Sequence, residues 1–339
     1  MTDYKELKLK ASTSPHVRTK EDAQAIMLTV IIALLPALAF AVYNFGLRSL
    51  TVTLCSMAGC VVFEALYRLI ARKHQTVGDC SAAVTGMLLA FVCPVTIPYW
   101  TILIADFFAI VVVKQLYGGI GKNFLNPALA GRAFLFSWAS IMSHWAAPGT
   151  KAAVWGAVDV VTYPTPMSYL HANDLTGLQA VYDLPAMFTG RIGGCIGEVS
   201  SLMILAGFVF LLARKVILPN IPLTYVGTVA LLTFLFPRGN DPVEWMLYNI
   251  FGGGLLLGAV FMATDYVTSP VSRKGQLIYG VGCGLITVFI RYFGGYNEGV
   301  CYSILLMNLV VWLIDKNVRP RRFGVAKTAI FRRKEAAGK

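Results

Sequence analysis

Apolar runs about as long as a bilayer is thick recur along nearly the whole chain, separated by short basic clusters. A helix needs about 20 mostly apolar residues to cross the hydrocarbon core. Within lipid, every backbone amide must find its partner inside the protein, which leaves helices or closed barrels. Runs this long point to helices. Ten are expected, near residues 24–43, 49–70, 80–97, 99–117, 124–144, 198–218, 221–237, 243–264, 275–292 and 299–315. Composition removes the alternatives: charged residues make up 14% of the 339 and hydrophobic residues 57%. An average soluble domain carries about 25% charged residues, so this chain cannot clothe a soluble globule, and its apolar content excludes disorder.

The formal net charge of +12 lies in clusters between the runs and at the tails. Aromatic–basic interleaving is absent, so nucleic acid is not an expected partner. With the N-terminus in the cytoplasm, 24 of the 29 Lys and Arg fall on the inner side, leaving Arg48, Lys151, Arg191, Arg238 and Arg291 outside. Inner loops of membrane proteins carry that excess. A charged stretch precedes the first run, which therefore reads as a span and not as a cleavable signal. The expected organisation is a cytoplasmic tail (1–23), a five-helix unit (24–144), an extracytoplasmic loop (145–197), a second five-helix unit (198–315) and a basic cytoplasmic tail (316–339).

An odd number of spans per unit makes the two units inverted repeats, a common transporter architecture. Gly86-Met-Leu-Leu-Ala-Phe-Val92 echoes Gly254-Leu-Leu-Leu-Gly-Ala-Val260, and Gly118-Gly119 before Asn123 echoes Gly294-Gly295 before Asn297. In both units a Gly-bearing third span meets a Pro/Thr break, at Pro94-Val-Thr-Ile-Pro98 and Val267-Thr-Ser-Pro270. Broken helices are tolerated in a membrane where they line a buried site. The expected fold is an all-α polytopic membrane protein of ten transmembrane helices, N-in and C-in, with broken helices in two inverted repeats.

Seven cysteines lack CxxC spacing and four histidines are scattered. They read as small apolar or isolated polar residues, not as metal ligands. Ionisable residues inside spans mark pairing or function. Glu64 has Arg68 one turn on, an ordinary i,i+4 pair. Asp106 lies mid-span, and Arg132 at comparable depth in the next span; the two are expected to form a buried pair or to serve an ion or cofactor site. Asp265 opens the second break and either caps it or lies on an ion path. Asn123 and Asn126 flank a Gly-rich entry, Gly118-Gly-Ile-Gly-Lys-Asn-Phe-Leu-Asn-Pro127, which lacks P-loop spacing and suits a backbone-rich lining for a polar ligand. In the outer stretch, Asp159-Val-Val-Thr162-Tyr-Pro-Thr165-Pro166 reads as a surface turn or as a stiff mount. Pro164 fixes φ and Pro166 favours an extended Thr165, which holds that hydroxyl as an attachment point near Tyr163 and Tyr169.

Four longer stretches carry a resemblance: Gly121-Lys-Asn-Phe-Leu-Asn-Pro-Ala-Leu-Ala-Gly-Arg-Ala-Phe134, Gly190-Arg-Ile-Gly-Gly-Cys-Ile-Gly-Glu-Val-Ser200, Phe261-Met-Ala-Thr-Asp-Tyr-Val-Thr-Ser-Pro270 and Phe293-Gly-Gly-Tyr-Asn-Glu-Gly-Val300. Essentially end to end, the chain resembles the flavin-carrying membrane subunits typified by the D subunit of the Rnf electron-transport complex, related to the B subunit of the sodium-pumping NADH:quinone reductase. The resemblance implies FMN joined through its phosphate to a threonine, in an Asp-x-x-Ser/Thr-x-Ala-Thr type of motif. Asp159, Thr162 and Thr165 match it, with Thr165 as the attachment point, Thr162 as the alternative, and Pro164 where Ala is usual. It implies a second, noncovalent flavin, riboflavin, for which Asn123, Asn126, Thr264 and Thr268 are the expected ligands. It further implies a bacterial inner-membrane complex passing electrons between ferredoxin and NAD, coupled to Na+ or H+ transport. The expected partners are other Rnf subunits, including an extracytoplasmic flavin subunit, and a flavin transferase. No complete active site is expected on this chain alone. The competing class is a solute channel or transporter without a redox role, which has no use for the outward Asp-x-x-Thr-x-x-Thr segment.

Overall fold

A computed structural model describes residues 22–155, 162–239, 241–296 and 298–318. The regular elements among those residues are all helices, with one isolated bridge, Pro94 to Cys195, in place of any sheet. α1 (Ala23–Phe45) is capped by the Asp22 carboxylate, 2.8 Å from the Ala25 N–H. It meets α2 (Leu47–Ile70) at Gly46, whose φ of 82° and ψ of −173° are open essentially to glycine alone. α3 (Ser81–Phe91) stops at the first expected break, and α4 (Tyr99–Phe107) runs on as a π-helix over Phe108–Gln115. α5 (Pro127–Leu135) continues through a 3-10 turn into α6 (Ala139–Met142).

The outer stretch is folded. It carries α7 (Pro166–His171), α8 (Leu175–Val181) and α9 (Leu184–Thr189), which bury Met167, Leu170, Leu178 and Met187. α10 (Ser201–Ala213), α11 (Asn220–Leu235) and α12 (Pro242–Phe251) follow. α13 (Leu255–Leu257) opens into a second π stretch at Gly258–Met262, and α14 (Arg273–Phe293) and α15 (Val300–Asn317) close the described chain.

Four helices, α1, α2, α14 and α15, are long and apolar enough to cross a membrane, with mean hydropathies of 2.7, 1.7, 1.4 and 1.3. A fifth candidate is α12 with the Leu255–Met262 segment, bent by 62°. The other expected spans are shorter or interrupted apolar helices. Both breaks expected from Pro and Thr are present, at 92–98 and 263–272. A third, at Gly252–Gly254, falls inside the run expected at 243–264. Its signal was the triple glycine, since glycine costs a helix interior about 1 kcal/mol relative to alanine.

The breaks are filled with protein hydrogen bonds. The Ile196 and Gly197 N–H groups donate to the Cys93 and Phe91 carbonyls at 3.0 and 2.8 Å. Arg48, fully buried, donates through Nε to the Val95 carbonyl (2.9 Å) and through Nη2 to Ile97 (3.2 Å). At the glycine break, Arg291 donates to the Asn249 and Gly252 carbonyls. Carbonyls freed at the breaks are thus answered by guanidinium groups.

Close approach of α2 and α3 depends on Gly86, where a Cβ would lie 2.6 Å from the Ser56 carbonyl oxygen and 2.8 Å from the Met57 Cα. Small residues of this kind let membrane helices approach closely. Gly86→Ala therefore pushes backbone against backbone and is expected to destabilise the chain by about 1–3 kcal/mol, the usual cost of overpacking. Thermal denaturation of the detergent-solubilised chain checks this; an unchanged midpoint would contradict the packing described.

Candidate functional site

Two cavities lie at opposite ends of α5, one touching Asn126, Pro127 and Ala128 and the other Arg132 and Phe136. The first, about 230 Å³, is lined by Thr165, Pro166 and Met167, by Phe136, Trp145 and Tyr296, and by Arg132, Glu198 and Glu298. The second, about 300 Å³, takes Lys114, Asn123, Asn126, Thr264 and Asp265 together with apolar side chains of α1, α3 and α10. The residues singled out from sequence thus sort into two groups that the linear order does not separate.

Thr165 is extended (φ −83°, ψ 157°) and immediately precedes α7, with Pro166 as the first helical residue. Its hydroxyl makes no cap hydrogen bond, while its carbonyl accepts from the Ser168 N–H and hydroxyl at 3.0 and 2.7 Å. The backbone is pinned, and the hydroxyl has no hydrogen-bond partner among the described residues. One residue earlier, the Pro164 carbonyl accepts from the Tyr182 hydroxyl at 2.8 Å. Burial pushes that phenol above its ordinary range, so it stays a donor. Thr162 differs, because its hydroxyl is engaged by His144 Nδ1 at 2.9 Å on an exposed surface. Tyr163 stands outside the cavity lining and packs edge-on against Tyr182, centroids 6.0 Å apart. Asp159 lies outside the described residues.

Arg132 does not pair with Asp106, contrary to the expectation from matched depth. Its Nη2 lies 3.0 Å from Glu298 Oε2, and its guanidinium carbon sits 5.5 Å from the centre of the Phe136 ring. Equal depth on two helices leaves the facing direction undetermined, and Arg132 faces α15's entry while Asp106 faces α2. Arg132 also lies at the Thr165 end of α5, away from the charges expected on the inner side. Glu298 uses its other oxygen to accept the Gly254 N–H at the glycine break. Glu198 accepts the Cys195 N–H at 3.0 Å, and its Oε2 has no partner among the described residues. Glu198, Glu298 and Arg291 do not stand out in the sequence. The available signal was an acidic residue inside each of the glycine-rich stretches 190–200 and 293–300.

At the other cavity, Asn126 caps α5 by accepting the Ala128 and Leu129 N–H groups at 3.1 and 3.3 Å, and its Nδ2 donates to the Met262 carbonyl at 3.1 Å. Asn308, oriented so that its amide satisfies all neighbours, accepts from the Asn126 N–H and donates to the Thr268 carbonyl, each at 3.1 Å. α5, the second break and α15 are thereby joined. Asp265 accepts from the Thr268 hydroxyl at 3.0 Å and from the Val267 N–H at 3.5 Å. Thr268 supports the cavity without lining it, and the Thr264 hydroxyl returns to the Val260 carbonyl. Lys114 donates to Glu64 at 2.9 Å and to Ser81 Oγ at 2.6 Å, so the expected Glu64–Arg68 contact (3.8 Å) is one edge of a three-residue ion cluster.

The sequence profile of the NQR2, RnfD, RnfE family matches residues 10–324. The D subunit of the Na(+)-translocating ferredoxin:NAD(+) oxidoreductase complex of Acetobacterium woodii is 46% identical over 95% of this chain and 97% of its own length. Its counterpart in the proton-translocating ferredoxin:NAD(+) oxidoreductase complex of Clostridium ljungdahlii is 41% identical, over 93% and 96%. The D subunit of the ion-translocating oxidoreductase complex of Stutzerimonas stutzeri is 39% identical, over 90% and 93%.

Breaking a buried ion pair from one side strands the other charge, typically at a cost of about 3–5 kcal/mol. Glu298→Gln is accordingly expected to lower the thermal midpoint of the purified chain sharply, and Glu298→Gln with Arg132→Met to recover part of that loss. A double variant no more stable than the single one would show that the pair does not couple.

Proposed function

The chain belongs to the NQR2, RnfD, RnfE family, and on that premise we propose that it is the D-type membrane subunit of a bacterial ion-translocating ferredoxin:NAD+ oxidoreductase, carrying FMN on Thr165. The observation that carries the reading is the Thr165 hydroxyl, without a hydrogen-bond partner among the described residues, on a pinned, extended backbone in the lining of a cavity walled by Phe136, Trp145 and Tyr296. A phosphoester needs an accessible hydroxyl, and a planar aromatic ring system needs flat apolar walls with a few polar groups to orient it. The unpartnered Oε2 of Glu198 and Nε of Arg132 at the cavity floor supply those groups. Bound there, the flavin would accept and pass on electrons. The protein's own residues hold it: Tyr182 and Ser168 fix the mount, the aromatic walls exclude water, and Arg132 places positive charge beneath.

The larger cavity is proposed to take the second flavin, riboflavin, with Asn123 and Lys114 presenting polar groups at its wall. Asn126 and Thr264 act there chiefly through bonds to backbone carbonyls, and Thr268 through its bond to the Asp265 carboxylate, which shape the wall. The two cavities meet opposite ends of the same helix, α5, which fits a chain that relays electrons across the membrane. Ferredoxin and NAD are handled by other subunits of the complex, and a flavin transferase supplies Thr165.

Ten spans in two inverted repeats, with both ends in the cytoplasm, are part of the same proposal. In its support, α2 packs on α3 and α4 just as α11 packs on α12 and α14, and α4 packs on α5 as α14 does on α15. α1 and α10, first in each unit, pack on one another. Reporter fusions at Gly149 and after Lys339 are expected to report opposite compartments; agreement between them would overturn the orientation.

Thr165→Val keeps the shape and β-branching while removing the nucleophile. It is expected to abolish in-gel flavin fluorescence of the denatured chain and to leave thermal stability unchanged, whereas Thr162→Val retains the fluorescence. Natively expressed wild-type protein whose peptide spanning Asp159–Tyr169 has unmodified mass would remove the assignment and favour a solute transporter.

A further inference from the structure

Asp106 lines neither cavity and has no exposed surface. Its Oδ1 lies 2.6 Å from Ser56 Oγ on α2 and 3.3 Å from Cys60 Sγ, while Oδ2 has no partner among the described residues. Ser56 Oγ also lies 2.9 Å from the Gly86 carbonyl oxygen of α3. The ion pairs among the described residues involve Glu64 and Glu298, so no lysine or arginine stands within ion-pair distance of Asp106. The titratable groups facing it are thiols: Cys60 and Cys55 of α2, and Cys93 from the break after α3.

Counting protons decides the state of this group. A serine hydroxyl owns one proton, and a carbonyl oxygen can only accept. Were Asp106 ionised, the Ser56 proton would go to the nearer, charged Oδ1. Ser56 Oγ and Gly86 O would then face each other at 2.9 Å with no proton between them. The carboxylate would also be buried with one hydroxyl and one weak thiol donor, far short of what a buried charge requires. With a proton on Oδ1, Asp106 donates to Ser56, Ser56 donates to Gly86, and each proton on the chain of bonds has an acceptor. A proton on Oδ2 would find none.

We propose that Asp106 is a proton-binding site, a neutral acid at the junction of α2, α3 and α4 whose Oδ1 proton is exchanged during turnover. Release of that proton to water leaves the carboxylate, and the Ser56 hydroxyl must then turn its own proton from Gly86 to Asp106. Proton occupancy is therefore tied to the Ser56–Gly86 link between α2 and α3, at the point where Gly86 lets the two backbones touch. Directly beyond Asp106 the helix loosens into the π stretch Phe108–Gln115, a form found mostly at functional positions. The site rests on the proposed function only for the use made of the proton, and its protonation is read independently of any flavin.

Infrared difference spectra of the purified complex at neutral pH test it, comparing wild type with Asp106→Asn and Ser56→Ala in sodium chloride or choline chloride. The expected result is a protonated-carboxyl stretch in wild type that Asp106→Asn removes and Ser56→Ala shifts, identical in the two salts. Asp106→Asn is an uncharged isostere that still donates to Ser56, so it is expected to keep wild-type thermal stability and in-gel flavin fluorescence while losing ion pumping in vesicles. If Asp106→Asn fails to fold, the Ser56→Ala shift carries the same information. Three results would each overturn the proposal: no band sensitive to either variant, a band bleached by sodium but not by choline, or undiminished pumping by Asp106→Asn. Missing fluorescence in the wild type would count against the flavin reading and leave the carboxyl assignment standing.

Discussion

Backbone groups freed inside the bundle have no water to turn to, and the rest of this structure follows from how they are satisfied. Three interruptions occur at depth: after α3, at Gly252–Gly254, and after the Gly258–Met262 π stretch. Each is filled by groups from elsewhere in the chain. Arg48 answers carbonyls of the first and Arg291 those of the second, while Asn126 and Asn308 tie the third to α5 and α15. The amides are met as well, with Glu198 accepting from Cys195 and Glu298 from Gly254.

Three of these side chains, Asn126, Glu198 and Glu298, border the cavities, and the coincidence has a physical cause. A broken helix cannot pack as a full cylinder, so it leaves space beside itself, and the polar groups that satisfy its ends must point toward that space. Asn126 shapes the larger cavity while capping α5, and Glu198 and Glu298 floor the smaller one while holding breaks together. Loss of one such residue therefore strikes folding and site together, which is why variants that keep shape, such as Thr165→Val or Asp106→Asn, are the more informative.

Buried ionisable groups are treated in several ways within the chain. Glu64 with Lys114 and Arg68, and Arg132 with Glu298, are paired at short range. Asp106 is buried with hydroxyl and thiol partners alone among the described residues, and with the proton proposed for it neutrality would take the place of a counter-charge. Paired groups hold fixed positions in the fold, whereas an unpaired acid keeps a proton that it can give up.

The sequence by itself determined the helical class, the apolar runs, the two Pro/Thr breaks and the segment bearing Thr165. Each follows from local chemistry, namely run length against bilayer thickness, the missing N–H and fixed φ of proline, and the order of hydroxyl residues. Family membership was likewise legible in the four long motifs. Tertiary structure alone decided the partners. Arg132 and Glu298 are 166 positions apart, and nothing in the order of residues sets the direction a side chain faces around its helix. The sorting of Asn123 and Thr165 into separate cavities, the engagement of Thr162 by His144 and the lack of a cation beside Asp106 among the described residues arise in the same way. Depth along a helix is written in the chain, but azimuth is fixed only when helices pack.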